Sequence, residues 1–130
     1  MSIEPVNPPD LATPSGFSHA VVGSGRVVFL AGQVGLGKDG KLVSGGVAAQ
    51  FSQALSNVLT ALRAAGGTPA QLASLTVYAT DLRDYRAHGK EIGAAWRRLV
   101  GREYPAMAAI GVSRLWEDGA LVEIQGFAVI

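Results

Sequence analysis

Near the C-terminus, the segment ALVEIQGFAVI places one carboxylate, Glu123, in an otherwise apolar alternating run. One set of alternate positions, Ala120, Val122, Ile124, Gly126 and Ala128, suits a strand face turned toward a core. The other set, Leu121, Glu123, Gln125, Phe127 and Val129, is mixed. An acid between Leu121 and Phe127 is either a plain exposed strand residue or a group partly desolvated at a subunit interface and suited there to general-base work.

Other chemistry-bearing patterns are weaker. Gly35-Leu36-Gly37-Lys38-Asp39-Gly40 has the spacing G-x-G-x-x-G, but a dinucleotide loop needs a helix to begin at the motif so that its N-terminus faces the phosphates. Here Lys41-Leu42-Val43-Ser44 follow before any helix pattern starts, and Lys38 is not in a G-K-[ST] run. The stretch reads as a turn. His19 and His88 have no evident third ligand for zinc, so neither a metal nor any other cofactor is expected. His88 reads as a packed or interface histidine on an apolar helix face, and His19 as a structural residue at a strand start. No G-x-S-x-G elbow supports a serine triad. Arg83, Arg86, Lys90, Arg97, Arg98 and Arg102 are interspersed with Asp81, Asp84, Glu91 and Glu103, the pattern of a solvated helix face rather than of a nucleic-acid stripe.

The totals agree with local rather than global charge chemistry. Eleven Lys and Arg against ten Asp and Glu leave a formal charge of +1, so no field draws in nucleic acid or an anionic membrane. Cysteine is absent, which excludes disulfides and thiolate chemistry and makes the cytoplasm the default compartment. The start, MSIEPVNPPDLATPSG, reads as an extended arm over residues 1–15, neither a signal peptide nor a transmembrane segment. With 48% hydrophobic and only 16% charged residues, 130 residues form one domain whose apolar surplus points to burial between subunits.

These residues must be positioned by a small set of elements. Ser18 to Gly23 and Arg26 to Ala31 read as a hairpin about Ser24-Gly25. Val47, Phe51, Ala54/Leu55, Val58/Leu59 and Leu62 mark one buried stripe of a helix over 46–65, with Gln50, Gln53, Asn57 and Arg63 mostly elsewhere; Gly66-Gly67-Thr68-Pro69 stop it. Leu72 to Thr80 reads as a well-covered strand. Tyr85, His88, Ile92, Ala95/Trp96 and Leu99 mark a second helix, in which Gly89 and Gly93 would permit close packing. Met107 to Val112 and Ala120 to Ile130 finish as strands. The order β-β-α-β-α-β-β predicts an α+β domain, a mixed sheet with two helices on one face and the other face open to a partner.

Taken in order, GFSHAV, VVFLAGQVG, AAQFSQALSNVLTALRAAG, LTVYATDLRDY and YPAMAAIGVSRLWEDGALVEI resemble the reactive intermediate deaminase family, the Rid or YjgF-like proteins. The resemblance runs from about Pro14 to the C-terminus. It implies a chorismate-mutase-like fold and a homotrimer whose three clefts, between neighbouring subunits, take a small metabolite.

Family members of the deaminase type hydrolyse enamines and imines such as 2-aminoacrylate to ammonia and a 2-keto acid. The resemblance makes Glu123 the residue that positions water and puts Phe17, Ala31, Gly32 and Met107 at the cleft. Phe17 stands where tyrosine is common, Ala31 where serine is, Gly89 where asparagine is, and Met107 where an arginine holds the substrate carboxylate. A thioether offers none of the donors of a guanidinium, and losing a charge-assisted hydrogen bond costs on the order of 1.5–3 kcal/mol. Arg114 is a second candidate for the carboxylate, at a position where relatives also carry arginine as framework. The expected function is therefore metabolite binding with enamine or imine hydrolysis, or a non-catalytic ligand-binding or protein-stabilising trimer. RNA cleavage or translational inhibition follows only from activities attributed to some relatives, and the near-neutral charge argues against it.

Overall fold

A computed structural model describes residues 3–130 of the chain. The apolar stripe expected over 46–65 forms helix α1, Gly46–Ala64, whose Phe51, Leu55, Leu59 and Leu62 are fully buried. The glycine stop works as expected: Gly66 N–H donates to Arg63 O and Gly67 N–H to Leu62 O. Strands β3, Val27–Val34; β4, Leu72–Ala79; β5, Ala106–Gly111; and β6, Val122–Val129 make one sheet in the order β3-β6-β4-β5. Only β4 and β5 are parallel, joined by the crossover that a parallel pair requires. That crossover holds α2, Leu82–Ala87, and α3, Gly89–Leu99.

The α+β architecture is as expected, with the helices on one sheet face. Leu75 and Val77 of β4 and Val122 and Ile124 of β6 meet the α1 stripe, and Ile92, Ala95 and Trp96 of α3 close the core. β4 is not covered on both sides: Leu75, Val77 and Ala79 are buried while Ser74, Thr76 and Tyr78 are half-buried on the open face. β6 alternates in the register read from its sequence, with Val122, Ile124, Gly126 and Ala128 inward.

Four local expectations change. The Ser24-Gly25 hairpin does not form. Arg26 and Ile130 exchange both backbone hydrogen bonds, at 2.7 and 2.8 Å, so β3 is drawn to the C-terminal strand. Its presumed partner β2, Ala20–Gly23, pairs instead with β1, Ile3–Val6, a strand inside the N-terminal arm. The arm is docked further along, where the His19 backbone N–H donates to Asn7 Oδ1 at 2.8 Å and its Nε2 meets Ala12 O at 2.7 Å.

The second helix is broken at His88, which ends α2 and precedes α3. Gly89, a weak helix former, follows directly. His88 is thus a half-exposed pivot that bonds back to Asp84, not a packed side chain on an apolar face. Gln50, read as lying off the buried stripe, is buried. Its amide accepts from Leu121 N–H at 2.8 Å and donates to Gly119 O at 3.3 Å, which satisfies it inside the core.

Candidate functional site

The open sheet face is where Glu123 lies. On β6 it stands between Tyr78 of β4 and Val34 of β3, half-buried. Opposite it, β3 is irregular: Leu30 pairs with Gly126 but Gln33 with Ile124, so Ala31 and Gly32 together face Gln125. This is a β-bulge, which bends a strand and re-aims what is beside it. The carboxylate rests against the bulge, for a Cβ added to Gly32 would collide with Glu123 Oε2. Ala31 and Gly32 are exposed, and Ala31 borders a hollow of about 310 Å³ with Phe29, Gln125 and Phe127.

Two polar side chains of α1 hold the backbone at the ends of the neighbouring strands. Gln50 holds the turn leading into β6, and Asn57 Nδ2 donates to Val34 O at 3.2 Å and Leu36 O at 2.9 Å at the end of β3. The glycine-rich stretch that follows is the expected turn. Gly37 N–H donates to Lys41 O, Gly40 turns with φ +78°, and no helix starts until Gly46.

Met107 is on the other side of the sheet. Its parallel partner is Leu75, a core-facing residue, so its side chain turns to the helices. There it borders a cavity of about 350 Å³ with Phe51, Tyr85, Trp96 and Tyr104. The walls are aromatic and ordered: Trp96 stacks on Tyr104 at 5.2 Å and Phe51 meets Tyr85 edge-on at 6.1 Å. Burial pushes the Tyr85 phenol up to about 12, so it stays a neutral hydroxyl near neutral pH.

Phe17 is half-buried, its ring edge-on to His19 at 5.1 Å. Its neighbour Ser18 pins the segment to the start of β5, donating from Oγ to Tyr104 O at 2.6 Å and from N–H to Pro105 O at 2.9 Å. Ser15 and Gly16 of the same segment line the cavity. Arg114 belongs to neither place. It is exposed in the loop before β6 and paired with Asp118 at 3.3 Å.

Within one chain, then, the site residues of the sheet fall on opposite faces: Ala31, Gly32 and Glu123 on the open face, and Met107 on the helix side. Sequence reading missed Tyr85, Trp96, Arg97 and Tyr104 as cavity residues. The available signal was the pair Gly89 and Gly93, read as permitting close packing. Neither is packed: a Cβ at Gly89 would meet nothing within 4 Å, and one at Gly93 only the end of Arg97.

A mixed sheet backed by helices, with a bulge cradling a lone carboxylate on its bare face, defines an α+β protein of the YjgF fold. Residues 9–130 match the family model described as Endoribonuclease L-PSP, and the chain belongs to that family, the Rid or YjgF-like proteins. It is 32% identical over 114 residues to the human 2-iminobutanoate/2-iminopropanoate deaminase, covering 87% of this chain and 79% of that one. It is also 32% identical over 116 residues to a RutC family protein of Pyrococcus horikoshii, covering 88% of each. Among solved structures, the Rid-family protein of unknown function YyfB from Yersinia pestis superposes with a TM-score of 0.88 at 35% identity over the whole of both chains. The E. coli protein TdcF, solved with bound serine, gives 0.72 at 26% identity over 91% of each. No helix among the described residues is long and apolar enough to cross a membrane.

Proposed function

We propose that the chain is a homotrimeric hydrolase of small imines or enamines, working in clefts where the Glu123 face of one subunit meets the Met107 face of the next. The observation that carries the reading is the Glu123 carboxylate held against the Gly32 bulge on the open sheet face. The two groups of site residues lie on opposite faces of one chain, and a neighbouring subunit is the simplest way to make them meet. Similarity to a named 2-imino-acid deaminase supports the reaction class.

In such a cleft Glu123 accepts a proton from water as the water oxygen adds to the imine carbon. That proton passes to nitrogen to give a carbinolamine; the hydroxyl proton then follows it to nitrogen through Glu123 as the C–N bond breaks, and ammonia leaves with a carbonyl compound behind. An enamine first takes a proton on carbon to become the imine. Backbone N–H groups near the bulge would steady the charge that develops.

The test is ammonia release from freshly generated 2-aminoacrylate and from a carboxylate-free imine by the wild type and Glu123→Gln. Release by the wild type that falls to background in Glu123→Gln is expected; equal background rates would remove the hydrolase. In that outcome a non-catalytic binding trimer is the reading left, and the presence of Met107 where deaminase-type relatives are expected to carry arginine favours it. The one-unit net charge and the intermixed acids around α3 give no support to an RNA substrate.

A further inference from the structure

Arg97 and Arg98 are adjacent on α3 but differ in use. Arg98 Nη2 donates to Ser52 Oγ at 2.8 Å and ties α3 to α1. Arg97 has no hydrogen-bond or ion-pair partner among the described residues, and it borders the cavity beside Met107. Its guanidinium reaches back one turn over Gly93, where Nη1 would lie 3.4 Å from an added Cβ. Helical side chains lean toward the N-terminus, and a glycine four residues earlier leaves the path clear.

Gly89, Gly93 and Arg97 are spaced four apart and so share one stripe of α3: Gly89 leaves open space, Gly93 leaves room for the Arg97 side chain, and Arg97 brings the charge. The cavity beneath is about 350 Å³ and walled by Phe51, Tyr85, Trp96 and Tyr104, a size and lining suited to a small apolar ligand with one polar handle.

We propose that Arg97 is the anion-binding residue of this cavity, and that the ligand it selects is a carboxylate carrying a bulky apolar or aromatic side chain. Met107 takes the volume at the base of β5 without a charge, and the cation enters from the rim on α3 instead. The planar fork of Arg97, lying over Gly93, presents paired donors to a carboxylate, and the open space over Gly89 admits an apolar body that a more crowded helix face would refuse. This rests on the reading of the chain as a small-metabolite binder, but on residues other than Glu123.

The probes are 3-phenylpropanoate and its neutral counterpart 3-phenylpropanamide, titrated calorimetrically into the wild type, Arg97→Gln and Glu123→Gln. Expected is a preference of the wild type for the acid of about tenfold or more, lost in Arg97→Gln while amide binding stays unchanged. The exposed position of Arg97 leaves the fold of that variant intact, which unchanged amide binding also reports. No binding of either probe, equal binding of both by the wild type, or a preference surviving in Arg97→Gln would overturn the assignment. The preference persisting in a Glu123→Gln chain supports it whether or not the wild type releases ammonia, so the two readings fail separately.

Discussion

Gly32 and Glu123 are complementary: the missing side chain on β3 is the space occupied by the carboxylate on β6. Any Cβ at residue 32 must move that carboxylate. Gly32 is exposed and has no positive φ that would demand glycine, so the cost of a methyl there falls on the site rather than on the fold. Gly32→Ala is therefore expected to leave the melting temperature nearly unchanged and to lower ammonia release on the order of 100-fold, the usual result of misplacing a reacting group by about 1 Å. A variant that melts normally and retains full turnover would show that the contact with the bulge does not set the carboxylate's position.

Gln50 holds the turn that leads into β6. Replacing it by Leu leaves the Leu121 N–H without its partner, at about 1–3 kcal/mol at most, while the carbonyl of exposed Gly119 can turn to water. Urea denaturation of Gln50→Leu should give a lower midpoint at an unchanged slope. Gln53→Leu, a control on a half-buried position one turn along, should give a much smaller change.

The apolar face around Phe29 and Phe127 makes the trimer testable. Phe29 is 77% exposed and Phe127 41%, with their rings edge-to-face at 5.5 Å, and Val27 and Ile110 are exposed on the same sheet. A patch of this kind on a single chain is unusual without a partner. Sedimentation of the wild type as three chains and of Phe29→Glu as one is the expected result. A wild type that sediments as a monomer would remove the intersubunit cleft.

Gly89 and Gly93 should trade stability against ligand room. Each lies in a helix with open space or only a flexible side-chain end where a Cβ would go. The double change to Ala should thus raise unfolding free energy by about 0.5–1 kcal/mol per site through helix propensity. It should at the same time weaken binding of 3-phenylpropanoate. Thermal unfolding and calorimetry on the same protein check both halves.

His88 gives a pH-dependent difference of known sign. Its hydrogen bond to the Asp84 carbonyl raises its pKa above the ordinary 6.5, helped by the charges of Asp84 and Glu91 and partly offset by desolvation. Protonated imidazole is favoured in the folded chain, so the contribution is complete below about 6.5 and is lost as pH rises through the higher folded value. The melting temperature of the wild type relative to His88→Gln should be greater at about pH 5.5 than at about pH 8.5. A difference that grows toward alkaline pH would contradict the Asp84 contact.

Much of the fold is written locally. The α1 stripe, its Gly66-Gly67 stop, the inward and outward positions of β6 and the turn at Gly35 to Gly40 are all periodicities or breaks within about twenty residues, where backbone geometry decides which side chains share a face. Glu123 as a lone acid on the mixed face is legible for the same reason. The remainder depends on partners far apart in sequence.

Only tertiary structure could decide that β3 pairs with β6 rather than with β2, because the competition is between hydrogen-bond ladders that no local pattern ranks. It also decided that Gly32 makes room for Glu123, that Gln50 belongs inside, and that Met107 and Glu123 lie on opposite faces. For Gly93 and Arg97, four residues apart, sequence supplied the spacing, but whether the gap was filled by a neighbouring helix or left open as a cavity depended on where α1 and β5 came to rest. Residue types determine what a side chain can do; the packing of distant segments determines what stands in front of it.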